Sequence, residues 1–76
     1  MSDLGDKEGA IEDYNQAIRL YPDFANSYYH RGDAYQYLGE KQKALSDFRE
    51  AVKFYQQQGK TSASAYAQNR IKKLGG

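Results

Sequence analysis

Apolar residues recur along this chain with the period of a helix. Ala10, Ile11, Tyr14, Ala17, Ile18 and Tyr21 follow the i, i+4, i+7 spacing that gathers side chains on one face of a 3.6-residue turn. Ala44, Leu45, Phe48, Ala51, Val52 and Tyr55 repeat that stripe 34 residues later. Between them, Phe24, Tyr28, Tyr35 and Leu38 form a further stripe, which predicts a second helix from Phe24 to Leu38. A last helix is predicted from Ser62 to Leu74, with Ala63, Ala67, Ile71 and Leu74 on one face. No segment sustains strand alternation, so the pattern predicts an all-α chain of four helices.

The punctuation between these stripes is equally regular. Gly5 and Gly39 are placed to end a preceding helix in a left-handed conformation, and Asp6 to accept the first orphan amide hydrogens of the next one. Pro22 breaks the chain before the second helix, with Asp23 as its expected cap. Gly59 and Thr61 mark another stop and start inside the polar stretch QQQGKTS. The repeating unit is helix, tight turn, helix.

LGDKEGAIEDYNQAIRLYPD, from Leu4 to Asp23, and LGEKQKALSDFREAVKFYQQ, from Leu38 to Gln57, are near copies in register. Within YYHRGDAY, Tyr28, Arg31, Gly32 and Tyr35 stand where the pattern W-x2-L-G-x2-Y falls, and Ala44 with Phe48 matches A-x3-F. On these residues the chain resembles a tetratricopeptide repeat array. Ala10, Tyr14, Ala17 and Pro22 have the spacing of the second helix of such a repeat. The resemblance covers Leu4 to Tyr55 and implies an α-solenoid fragment, a run of antiparallel helix pairs. Residues 4–21 would be the second helix of a first repeat, 24–56 a complete repeat and 61–74 a capping helix, in one domain over 1–76.

Three departures qualify the resemblance. Arg31 replaces the usual Leu, Gln56 replaces a Pro, and Leu74-Gly75 follows the earlier Leu-Gly by 36 residues instead of 34. With that insertion Gln68 takes the glycine place in the last helix and Ile71 the aromatic one. Gly32 and Ala44 are expected to face one another and let two helices approach closely. Gln68 would obstruct such an approach, which fits a terminal helix with nothing stacked on its far side.

Composition narrows the chemistry. With 76 residues the chain holds one small core, marginal unless every helix packs well. There is no Cys, so neither a disulfide staple nor a thiolate metal site is available, and a reducing cytoplasm is the expected location. The longest apolar runs are two or three residues, so a soluble chain with no membrane partner is expected. Net charge is +1, but residues 1–23 carry Asp3, Asp6, Glu8, Glu12, Asp13 and Asp23, whereas residues 60–76 carry Lys60, Arg70, Lys72 and Lys73 and no acid.

No catalytic residue, metal ligand or cofactor is expected. The chain has one His, His30, and no glycine-rich loop between a strand and a helix. His30 among Tyr and Arg reads as a solvated or packing residue. Glu8, Glu12 and Asp13 read as the polar face and first turn of a helix, where acids suit the dipole. Lys60, Arg70, Lys72 and Lys73 beside Tyr66 could meet a nucleic acid, but a solvated basic last turn explains the same residues with fewer assumptions.

A protein-interaction module is the favoured class. The resemblance implies a protein or peptide partner held along the concave face, on side chains that the packing signature leaves over: Asn26, Tyr29, Asp33, Gln36 and Tyr37. Tyr29 and Tyr37 are the expected anchors, because an aromatic ring buries much area at little rotamer cost. The family's lysine and asparagine clamp for a C-terminal carboxylate is not matched, since Tyr29, His30 and Asp33 stand on the relevant turns. The alternative is self-association: the first helix would lack the partner that covers one flank, leaving Ile11, Tyr14 and Ile18 for a second copy, in a homodimer about a two-fold axis.

Overall fold

The computed structural model describes residues 3–76, with side chains from residue 6 onward. Four helices follow in order: α1 (Asp3–Leu20), α2 (Ala25–Tyr37), α3 (Lys41–Gln57) and α4 (Thr61–Lys73). Each packs chiefly on its sequence neighbours, α1 on α2, α2 on α3 and α3 on α4. The short connections force adjacent helices to run antiparallel. The assembly measures 38 × 30 × 17 Å. The all-α repeat architecture expected from the periodicity is the one observed.

Three helices end in the same way. Gly39, Gly59 and Gly75 have φ of 81°, 71° and 82°. At the first of them, Gly39 N–H bonds Gln36 C=O at 3.1 Å and Glu40 N–H bonds Tyr35 C=O at 2.8 Å. This paired closure satisfies carbonyls that the helix leaves open, and the left-handed residue it requires is glycine because no Cβ then collides with the backbone. The same two bonds recur at Gly59 with Lys60 and at Gly75 with Gly76.

The helix starts differ from expectation. α1 begins at Asp3 and runs through Gly5 and Asp6, so Gly5 ends no helix and Asp6 caps none. The N-cap of α2 is Phe24, with no side-chain bond to the helix, and Asp23 instead offers its backbone carbonyl to Gln58 Nε2 at 2.7 Å. Phe24 is 47% exposed and does not join the core.

Small residues carry the seams. Ala25, Ser27, Gly32 and Ala34 are the buried residues of α2. Ala25, Ala51, Tyr55 and Ala67 form a core cluster with Tyr28, Tyr29, Val52, Phe54 and Ala63 packed around it. The nearest neighbours of Gly32 across the seam are Phe48 and Asp47: a Cβ there would lie 3.0 Å from Phe48 Cε1 and 3.2 Å from Asp47 Cβ. Phe48 and Ala44 are both fully buried.

Arg31, which stands where the repeat pattern has Leu, ties three helices. Its Nε and Nη2 donate to the two oxygens of Asp47 at 2.8 and 2.7 Å, and its Nη1 donates to Asn15 Oδ1 at 2.8 Å. The hydrogen bond to Asp47 holds the guanidinium even further above neutrality than usual, against the opposing effect of burial. Asp47 is 4% exposed, and such a carboxylate is tolerated in a small core because the fork meets both its oxygens.

Candidate functional site

α2 and α4 are placed 36 residues apart in register, and a single cation bridges them. Arg70 of α4 donates through Nη2 to Asp33 Oδ1 and, at 2.7 Å, to Gln36 Oε1 of α2. Its guanidinium also lies 6.0 Å from the ring centre of Tyr29 and 5.4 Å from that of Phe48. Asp33 and Gln36 are one turn apart on α2, so one planar guanidinium reaches both.

A polar recess of about 260 Å³ opens at this bridge, lined by Lys7, Asp33, Gln36, Tyr37 and Arg70. Lys7 of α1 reaches across with its Nζ 5.1 Å from the centre of the Tyr37 ring. Tyr37 is 52% exposed. Donors and acceptors stand side by side there, next to an aromatic ring that is half in water.

The five residues expected on the binding face therefore divide. Tyr37, Asp33 and Gln36 come together at the recess. Tyr29 and Asn26 do not join them. Tyr29 is half-buried against the core, edge-on to Phe48 at 5.5 Å between ring centres, and Asn26 Oδ1 accepts the Tyr55 hydroxyl. Burial pushes the Tyr55 hydroxyl above its ordinary pKa, so it remains a donor. Asn26, Asp33 and Gln36 are not left over by the packing, as the pattern predicted, but are engaged within the chain. The residues that pattern reading missed are Arg70 and Lys7, for their pairings with α2 lie in the tertiary arrangement; the one visible signal was Arg70 in a helix without acids.

The self-association set divides too. Ile11 is 8% exposed, so most of its side chain is in the core. Tyr14 and Ile18 are half-buried, and Tyr14 stacks on His30 with ring centres 5.8 Å apart. One repeat apart, the contrast is direct: Ala44, Phe48 and Ala51 are fully buried, whereas Ala10, Tyr14 and Ala17, 34 residues earlier, are half-buried.

Tyr66 is 69% exposed on the outer side of α4. Arg70 no longer counts among the free cations of the basic cluster, which leaves Lys60, Lys72 and Lys73 exposed. Among the described residues no group of three or more His, Asp or Glu is placed to hold a metal ion, and no helix is long and apolar enough to cross a membrane.

Comparison with known proteins agrees with this geometry. A family model described as TPR repeat matches residues 3–39, and one described as tetratricopeptide repeat matches residues 25–58. No curated protein and no solved structure matches the chain. The two family models overlap across α2, and together they run from the start of α1 to the end of α3, over the same helix pairs that the packing joins. The chain belongs to the tetratricopeptide repeat family.

Proposed function

We propose that this chain is a non-catalytic protein-interaction module that holds an extended peptide or a partner helix on the α2–α4 face. The observation that carries this reading is the recess of Lys7, Asp33, Gln36, Tyr37 and Arg70. Asp33, Gln36 and Arg70 pair with one another there, and the second carboxylate oxygen of Asp33, the amide N–H groups of Gln36 and the remaining guanidinium N–H groups suit the alternating N–H and C=O groups of an extended backbone. The half-exposed ring of Tyr37 supplies apolar area beside them. The family's usual role in protein interaction supports the same class.

The test is to select binders from a random 12-residue peptide library and map them by amide chemical-shift changes. Shifts centred on Asp33, Gln36, Tyr37 and Arg70, together with weakening by Tyr37→Ala, support the assignment. A selected peptide that leaves those amides unmoved sinks it.

A second reading rests on a separate observation, the half-buried Ala10, Tyr14 and Ala17 of α1 against the fully buried Ala44, Phe48 and Ala51 at the same places of α3. A helix laid on that flank of α1 would bring the two sets to equal burial, and a second copy of the chain is the alternative supplier. Sedimentation velocity decides: a dimer that Tyr14→Glu with Ile18→Asp converts to monomer supports self-association. A strict monomer at high protein concentration removes it.

A further inference from the structure

α1 breaks three local rules within one turn and a half, and all three residues border one groove. Gly9 stands in the helix interior, where glycine lowers helix stability relative to alanine. Glu8 and Glu12 are spaced i, i+4, the arrangement in which like charges repel. Because α1 begins at Asp3, these glutamates lie in its second and third turns, beyond the first turn where the dipole would favour them. Among the described residues neither forms an ion pair.

The groove is open, of about 630 Å³, and runs between α1, the end of α2 and the start of α3. Ile11, Tyr35 and Leu38 give it an apolar floor, and Glu8, Glu12 and Glu40 stand at its rim. Among the described residues Lys43 is the one cation lining it, 3.8 Å from Glu40 and 5.5 Å from the centre of the Tyr35 ring. Three carboxylates against one ammonium leave the rim negative by two charges. A Cβ added at Gly9 would meet nothing within 4 Å, so the packing of this chain does not require the glycine there. The groove shares no lining residue with the recess at Arg70.

We infer that this groove docks a basic amphipathic segment of another protein, an aliphatic side chain on the Ile11, Tyr35 and Leu38 floor with lysine or arginine at Glu8 and Glu12. Each local irregularity then has a use. The missing side chain at Gly9 lets the incoming backbone approach α1, and the two glutamates, unfavourable together in the free helix, are each neutralised by a cation of the occupant. Local rules broken together at one exposed site mark function more often than accident. The charge of the rim selects a basic occupant over an acidic one, and the apolar floor selects an amphipathic segment over a simple polycation.

The probe is a synthetic 14-residue helical peptide of leucine, lysine and alanine, with lysines flanking one leucine stripe, titrated into the full chain by fluorescence anisotropy. A control peptide carries glutamate in place of every lysine. The lysine peptide should bind and the glutamate peptide should not. Gly9→Leu should fold with a melting temperature at or above that of the parent, since its Cβ enters open space and leucine is the better helix former, yet weaken binding at least tenfold. Glu8→Gln with Glu12→Gln should weaken it at least tenfold and flatten its salt dependence. Arg70→Ala should leave it within twofold, which separates this groove from the α2–α4 face. Equal binding by parent and Gly9→Leu, or no binding of the lysine peptide, would overturn the inference. So would a dimer of the chain alone that Gly9→Leu dissolves, because the occupant would then be a second copy.

Discussion

Arg31 and Asp47 meet as a two-pronged fork across the α2–α3 seam, at 2.8 and 2.7 Å. Arg31 is the position where the repeat pattern has Leu, so the substitution that looks like a return to pattern should fail. Arg31→Leu would strand a carboxylate that is 4% exposed and should cost about 3–5 kcal/mol. Adding Asp47→Ala should recover a large part of that loss. Urea unfolding of the two single variants and the double one measures the coupling, and strictly additive effects would contradict a paired fork.

Gly32 sets how closely α2 approaches α3. A Cβ there would already stand 3.0 Å from the ring of Phe48, and that ring is fully buried with Tyr29 against its edge. Gly32→Leu should therefore cost about 1–3 kcal/mol through overpacking. Thermal melts followed by circular dichroism read it, and an unchanged melting temperature would refute the assigned seam.

Tyr29 and Tyr37 were indistinguishable as anchors in the pattern but should behave differently. Tyr29→Ala removes a ring packed on Phe48 and should cost roughly 2 kcal/mol of stability, below the about 3–5 kcal/mol of a fully buried aromatic. Tyr37→Ala, at a half-exposed ring whose contacts include Lys7, should cost about 1 kcal/mol or less. Paired unfolding curves test the order, and a greater loss at Tyr37 would reverse the assignment of core and surface.

Alkaline pH should weaken the fold. Burial raises the pKa of Tyr55, and burial followed by the nearby Glu50 raises that of Tyr28. A folded-state value above the unfolded one means that the native state holds its protons longer. The stabilisation is fully present below the unfolded value of about 10 and declines as pH rises through the folded value. Urea midpoints from pH 8 to 11 should fall above about pH 10, and Tyr55→Phe should reduce that slope. A flat profile in the parent would count against the raised values of both hydroxyls.

The helix content, the break before α2, the left-handed stop at Gly39 and the stop at Gly59 were legible because each depends on local chemistry. A 3.6-residue stripe, a proline or a glycine acts on neighbours within a turn or two. Where local signals competed, reading failed: Gly5-Asp6 has the form of a stop and a start, yet α1 runs through both. Phe24 fits a helical stripe by spacing, but as the N-cap of α2 it has an extended backbone, and it stays half in water.

By itself the sequence determined the element order, the repeat period and the family, because side-chain periodicity and turn residues are properties of the chain before it packs. Only the tertiary structure decided which faces were used. Arg70 could have belonged to a basic patch, but the stacking of α4 over α3 carried it to Asp33 and Gln36. Ile11 could have stood on an open flank, but α1 turned it into the core while leaving Tyr14 and Ala17 half-covered. Partners 37, 34 or 16 residues apart are joined by helix packing geometry, and no stripe or spacing within a single helix encodes which of its flanks the next helix will cover.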